Sequence, residues 1–315
     1  MAMNIDTVKN VLVAGAGVMG NGIAQIFATA GYDVSMVARR ETSLERAMTL
    51  IKTGLETFAE YGRISKEDIP SILSRITTTS DLESAAREAD YVIEAIPEVP
   101  DAKKALFAIL DEACPPDTII ASNTSGLDIF SLMETKRPDK LIITHFFSPA
   151  HIVPLVEVVP GPETSKETIK LTSELMQKVG HTPVVLKQFI QSFIVNRIQN
   201  AIGPVVIEML ENGWAEPEDI DLATKLVLGV RLPIVGVAQT ADFNGLDLIL
   251  DIFKRIGKPS AFFEKKVEQG HLGVKTSKGI FDYGGRSEAE ILKKRDMLFL
   301  KMLDHLREIK AFEPV

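Results

Sequence analysis

Apolar and polar positions follow two different periods along this chain, and the change between them divides it. Through roughly the first 150 residues, short apolar runs alternate with stretches of helical spacing. Lys9–Ala14 (KNVLVA) reads as a strand that ends at glycines, and Val18–Ala30 as the helix after it. Tyr32–Ala38 is a second strand and Thr42–Tyr61 a long helix. Ala89–Ile96, Thr118–Ser122, Lys140–Phe146, Val153–Val159 and Thr182–Lys187 are further strands. Strands alternating with helices predict right-handed βαβ units and a mainly parallel sheet, an α/β fold. From Gln191 onward the period is helical. Residues 193–214 keep it for about six turns, about 33 Å at the α-helical rise. Pro204 predicts a kink within that run, Gly213 a stop, and Glu216-Pro217 the start of the next helix. The expected boundary lies at residue 187: an α/β domain over 1–187, then a smaller all-helical domain over 188–315.

Length agrees, since 315 residues suit two domains. Thirty-five basic against 43 acidic residues give a net charge of −8, which argues against a general nucleic-acid binder. No apolar run approaches the roughly 18 residues of a membrane span. A single cysteine, Cys114, excludes an internal disulfide and a thiol cluster for zinc. The start, MAMNIDTVKN, lacks the apolar core of a secretion signal. These features lead us to expect a soluble cytoplasmic protein with no nucleic-acid, membrane or metal partner.

Gly15, Gly17 and Gly20 form G-x-G-x-x-G around Val18 and Met19, after a strand and at the opening of a helix. The first glycine permits the tight turn, the second lets backbone approach a pyrophosphate, and the third lets helix and strand pack closely. In that context the motif predicts a Rossmann-type dinucleotide-binding domain rather than a bare turn. A fold of this kind that selects NAD usually carries an acid at the end of the second strand. Here the sequence reads Ala38-Arg39-Arg40. Two guanidinium groups can hold a 2′-phosphate as charge-assisted forks, so NADP is favoured over NAD. The alternative is that both arginines are solvated loop charges.

His145 ends the strand KLIITH, and Glu157 follows twelve positions later inside the next strand. Hydride transfer to or from an alcohol needs a proton acceptor, and histidine titrates in the right range. A buried carboxylate on the far imidazole nitrogen would fix its tautomer. A lone histidine at a strand end is more often a satisfied core or surface residue, but Glu157, flanked by valines, needs a partner if it points inward. Asn123-Thr124-Ser125-Gly126 follows another strand, where open α/β sheets line their ligand crevice. These are also ordinary turn formers. Asn196 is a polar residue near the start of the long apolar helix.

The chain resembles the 3-hydroxyacyl-CoA dehydrogenase family in its short form. The motifs that carry the resemblance are GAGVMGNGIAQ, YVIEAIPE with Lys103-Lys104, ASNTS, HFFSP…LVEVV, FIVNR and GVKTSKGIFDY, spread over about residues 10–285. The resemblance implies oxidation of an L-3-hydroxyacyl-CoA to the 3-oxoacyl-CoA, and the reverse, with a nicotinamide cofactor. It implies His145 as the base, Glu157 as its paired acid, Ser125 as the contact to the substrate's 3-oxygen, and Asn196 as the residue completing that oxygen site. Ala95, Glu98 and Lys103 match positions around the nicotinamide half of the cofactor, and Lys275 a lysine that reaches toward it. Ser148 stands where the family usually has Asn. A homodimer through the helical domain is likewise implied.

Departures qualify the resemblance. The acid after the second strand is missing, the family's G-F-I-V-N-R begins with Ser192, and M-G-P-F-x-L-x-D reads 235-VGVAQTAD-242. Gly229-Val230-Arg231 is closer to relatives that oxidise free hydroxy acids, such as L-gulonate and L-carnitine dehydrogenases. Arg231 can clamp a free carboxylate or serve an inter-helix salt bridge. The alternative substrate is therefore a free hydroxy acid, or a pyridine compound of vitamin B6 breakdown.

Overall fold

The computed structural model describes residues 5–313. The first compact unit ends at Ala201 and the second begins at Ile202. In the first unit the strands are β1 (Asn10–Ala14), β2 (Asp33–Val37), β3 (Ile76–Thr79), β4 (Tyr91–Glu94), β5 (Ile119–Ser122), β6 (Leu141–Phe146), β7 (Leu155–Pro160) and β8 (Thr182–Val185). Its helices are α1 (Val18–Thr29), α2 (Glu41–Glu60), α3 (Ile69–Ser74), α4 (Leu82–Arg87), α5 (Pro100–Ala113), α6 (Ile129–Leu132) and α7 (Lys166–Lys178).

The strands form one sheet in the order β3-β2-β1-β4-β5-β6-β7-β8, parallel throughout except between β6 and β7. Alternation along each strand sends side chains to two cores. Val11, Val13, Tyr91 and Ile93 join the cluster packed with α1, α2 and α7. Leu12, Val92, Ile120 and Ile143 join the one packed with α5 and α6. Burial on both faces explains why these strands read as continuous apolar runs. The strand order reverses direction between β1 and β4, and open sheets of this kind bind ligands beyond the strand ends at that point.

The edge strand β3 was not among the expected elements. Its sequence, ITTT, is short and polar, and only Ile76 is buried. Its neighbour β2 supplies the pairing that holds it.

The second unit is helical. α8 (Val195–Glu211) runs across the division between the units, and α9 (Pro217–Val235), α10 (Val237–Asn244), α11 (Leu246–Arg255), α12 (Ala261–Glu268) and α13 (Glu288–Glu308) follow. α8 starts two residues later than the apolar period suggested, because Ser192 and Phe193 take φ values of 63° and 52°. Pro204 lies inside α8, which continues to Glu211, and α9 opens after Glu216, whose side chain makes no capping bond, with Pro217 in its first turn. The first unit extends beyond the expected boundary at 187. Phe193 is wholly buried in one of its cores, and the next two N–H groups bond to a carboxylate on β7. No helix among the described residues is long and apolar enough to cross a membrane.

Candidate active site

The C-terminal ends of β1, β2, β4 and β5 surround a cavity of about 940 Å³. The three motif glycines serve it differently. Gly15 has φ of 124°, donates its N–H to the Val37 carbonyl at 2.8 Å, and packs so that a Cβ would lie 2.5 Å from the Ala95 carbonyl oxygen. A Cβ on Gly20 would collide with the Gly15 carbonyl. Gly17 is unlike both, since a Cβ there would meet nothing within 4 Å. The protein itself does not need a glycine at 17, whereas a ligand approaching the backbone does. Gly17 is also the N-cap of α1, and no side chain caps that helix end. Its first-turn N–H groups and dipole therefore suit an anion. This combination fits a dinucleotide pyrophosphate.

At one end of the cavity Ala38 leaves the tip of β2 without an acid, and Arg39 and Arg40 line the wall. Arg46 and Ser43 also line it, from the first turns of α2. Among the described residues no carboxylate lies within ion-pair distance of these three arginines.

At the other end, Ala95, Glu98, Asn123 and Ser125 are in the wall. Behind it lies a buried ionic network. The Lys103 ammonium donates to both Glu94 carboxylate oxygens at 2.6 and 2.7 Å, and both side chains are at most 1% exposed. The Ser122 hydroxyl and the Ile96 N–H also donate to Glu94, at 2.6 and 2.8 Å. Lys103 then pairs with Glu98 at 3.3 Å. Glu98 accepts from the Thr124 hydroxyl at 2.7 Å and the Ser125 N–H at 2.6 Å. Lys103 does not reach the cavity wall. It fixes the residues that do.

The antiparallel β6–β7 pair sets His145 directly opposite Glu157. His145 Nδ1 lies 2.8 Å from Glu157 Oε2. The other carboxylate oxygen accepts the N–H groups of Ile194 and Val195, each at 2.9 Å. One buried acid thus holds the imidazole and the N-terminus of α8, where Asn196 sits. Burial pushes the Glu157 carboxyl up, but the hydrogen bonds from His145, Val195 and Ile194 outweigh it and hold the group below its ordinary value. Phe147 and Phe193 pack against the imidazole in tilted contacts, at ring distances of 4.5 and 5.3 Å. Asn123 accepts the Phe146 N–H at 2.8 Å, which ties the end of β5 to the end of β6.

A dinucleotide cleft beside a histidine–carboxylate pair is the arrangement of a dehydrogenase. Comparison with known families agrees. The NAD-binding domain of 3-hydroxyacyl-CoA dehydrogenase matches residues 10–189, and the C-terminal domain of the same family matches 193–283. This chain belongs to the 3-hydroxyacyl-CoA dehydrogenase family. Like other members it is an oxidoreductase of CH–OH groups with a nicotinamide cofactor. It is 38% identical to a probable 3-hydroxybutyryl-CoA dehydrogenase of Bacillus subtilis, over 88% of this chain and 98% of that protein. A solved 3-hydroxyacyl-CoA dehydrogenase from Archaeoglobus fulgidus superimposes with a TM-score of 0.77 at 28% identity, covering 95% of this chain and 99% of that one. A solved NAD⁺-dependent 5-formyl-3-hydroxy-2-methylpyridine 4-carboxylic acid 5-dehydrogenase does so at 0.72 and 26%, over 98% of this chain and 100% of its own.

Within this family member the remaining expected residues fall as follows. Asn196, in the first turn of α8, directs its amide at the Ser125 carbonyl at 3.5 Å, so these two are neighbours. Val18 and Met19 line the cleft, whereas Gly20 acts beneath it. Ser148 is exposed in the β6–β7 loop and does not line the cavity. Lys275 belongs to the second unit, where it pairs with Asp247 at 2.5 Å. Arg231 is half-buried in α9 with no carboxylate within ion-pair distance among the described residues. Residue-by-residue reading missed Glu94 and Arg46. Glu94 carried the same signal as Glu157, an acid inside an apolar strand. Arg46 carried none, because only the start of α2 beside β2 brings it to the cleft.

Proposed function

We propose that the protein interconverts an L-3-hydroxyacyl-CoA and the corresponding 3-oxoacyl-CoA. The observation that carries this reading is the 2.8 Å contact between His145 Nδ1 and the fully buried Glu157. With Nδ1–H donated to Glu157, Nε2 is the free acceptor. In the oxidative direction Nε2 takes the hydroxyl proton, and Glu157 stabilises the imidazolium that forms. In reduction the same nitrogen returns the proton to the 3-oxygen. The Ser125 hydroxyl and the Asn196 amide orient that oxygen. Phe147 and Phe193 keep water from the imidazole. The cofactor, when bound, exchanges hydride at nicotinamide C4. Gly15, Gly17 and the start of α1 hold its pyrophosphate.

The same reading includes a preference for NADP, supported by Ala38 and the unpaired Arg39, Arg40 and Arg46. It also includes a homodimer in the cytoplasm. Exposed apolar side chains on α8 and α9, among them Ile202, Val205, Ile207 and Leu226, suit an interface between copies. Light scattering on the purified protein tests this, and a monomer at working concentration would refute it. The single cysteine suits a reducing compartment.

A steady-state assay of acetoacetyl-CoA reduction with NADH and NADPH in parallel is the test. Turnover with higher kcat/KM for NADPH is expected, and His145→Ala should lower kcat about 10²–10⁴-fold with cofactor binding kept. Full turnover in that variant would remove the assignment.

Arg231 favours a second reading, a free hydroxy carboxylate. It is supported by the structural match to the pyridine carboxylate dehydrogenase over nearly the whole chain. Arg231→Leu should raise KM sharply for a free acid and leave a CoA thioester unaffected.

A further inference from the structure

The family match in the second unit ends at residue 283, before α13 begins at Glu288. α13 is nevertheless a well-built helix. Ser287 caps it, with its hydroxyl accepting the Glu290 N–H and the Glu290 carboxylate accepting the Ser287 N–H at 2.9 Å. It packs along α9 and buries Ile291. Between α13, the ends of α9 and α10, and the segment around Tyr283 lies a cavity of about 310 Å³, entirely within the second unit. The mapped family domain therefore supplies one wall and α13 the other.

The lining is cationic in an otherwise acidic chain. Arg286, Lys294 and Arg295 all line it. Arg286 donates its Nε–H to the Tyr283 carbonyl at 2.8 Å, which leaves its terminal nitrogens free. Neither Arg286 nor Lys294 has a carboxylate within ion-pair distance among the described residues. Arg295 lies over the Phe243 ring at 5.1 Å and pairs outward with Asp296 at 2.7 Å. The one acid in the lining, Asp282, is committed to the Gly284 N–H at 2.8 Å and to Lys278 at 3.7 Å. Apart from the cations, Asp282 and the amide of Gln239, the wall is apolar and aromatic, with Phe243 and the buried ring of Tyr283. The Tyr283 hydroxyl is spent on Asp242 at 3.0 Å.

We propose that this cavity is a second ligand site, for a small organic carboxylate with a planar or apolar body. Two unpaired cations and a stacked guanidinium recognise the carboxylate, and Phe243 with Tyr283 receives the body. The volume is at the small end of ligand pockets, so it suits a compact acid rather than a nucleotide. An occupant bridges α13 to α9 and stabilises that pair by mass action. The site is built from second-unit residues, none of which is given a role in the reaction above.

The test uses the full chain with saturating cofactor, and benzoate and inorganic phosphate as probes of the melting temperature. Benzoate should raise Tm saturably, and more than phosphate at equal ionic strength. In R286Q/K294Q the benzoate Kd should rise at least about tenfold, as expected for loss of charged hydrogen bonds. Basal kcat and KM should not change. No saturable benzoate response in the wild type would overturn the proposal, as would an equal response in the double variant. A response to phosphate alone would overturn the carboxylate assignment.

Discussion

Glu157 and His145 face each other across the antiparallel β6–β7 ladder, with carboxylate and imidazole 2.8 Å apart and both side chains buried. The second Glu157 oxygen caps the start of α8. Glu157→Gln keeps an acceptor for the helix N–H groups but loses the charge. Its kcat should fall about 10²–10⁴-fold while the melting temperature drops far less than in Glu157→Ala. Steady-state kinetics beside calorimetry checks this, and equal kcat in wild type and Gln variant would contradict it.

The same pair sets a pH dependence. Hydrogen bonding overcomes burial and lowers the folded-state pKa of Glu157. Stability from this group is therefore fully present above the ordinary carboxyl value of about 4.3, and is lost as pH falls through the lowered one. The stability advantage of wild type over Glu157→Gln should be constant near neutral pH and shrink in acid. Urea midpoints from pH 7 to pH 3 measure it. An advantage that grows toward acid would reverse the sign and refute the account.

Lys103 is the counter-ion of a carboxylate with no access to solvent. Lys103→Met should cost about 3–5 kcal/mol, because it leaves Glu94 charged and unpaired. Adding Glu94→Gln should restore much of that loss. The double-mutant cycle is read from urea unfolding, and simple additivity would show that the pair is not coupled.

Gly17 and Gly20 belong to one motif but differ physically. Gly17→Ala should weaken cofactor binding and lower stability only by the small cost of replacing a glycine N-cap, since a Cβ there meets open space. Gly20→Ala should lower stability by about 1–3 kcal/mol by forcing the start of α1 away from the Gly15 turn. Fluorescence titration with NADPH and thermal unfolding separate the two, and a stability loss in Gly17→Ala as large as that in Gly20→Ala would contradict the assignment.

Ser192 takes φ of 63°, a left-handed conformation that costs a residue with a Cβ about 1–2 kcal/mol. Ser192→Gly should stabilise the protein, by somewhat less than that because glycine also frees the unfolded chain. Its kcat should not change. A lower melting temperature would show that the serine makes an interaction worth more than the strain.

The sequence by itself determined the parallel sheet, the glycine loop, the histidine and the acid twelve positions on. These rest on local periods and short motifs, which report burial and turn geometry directly. It did not disclose β3, whose polar residues are strand only because β2 lies beside them. The reach of the first unit to Ala201 was also hidden, since it depends on Phe193 entering a distant core and on Glu157 holding two N–H groups 37 and 38 positions away. The buried union of Glu94 with Lys103, the approach of Arg46 to the cofactor cleft, and the cationic cavity against α13 have the same cause. Each is made of residues that are ordinary in sequence, and only long-range packing brings their charges together.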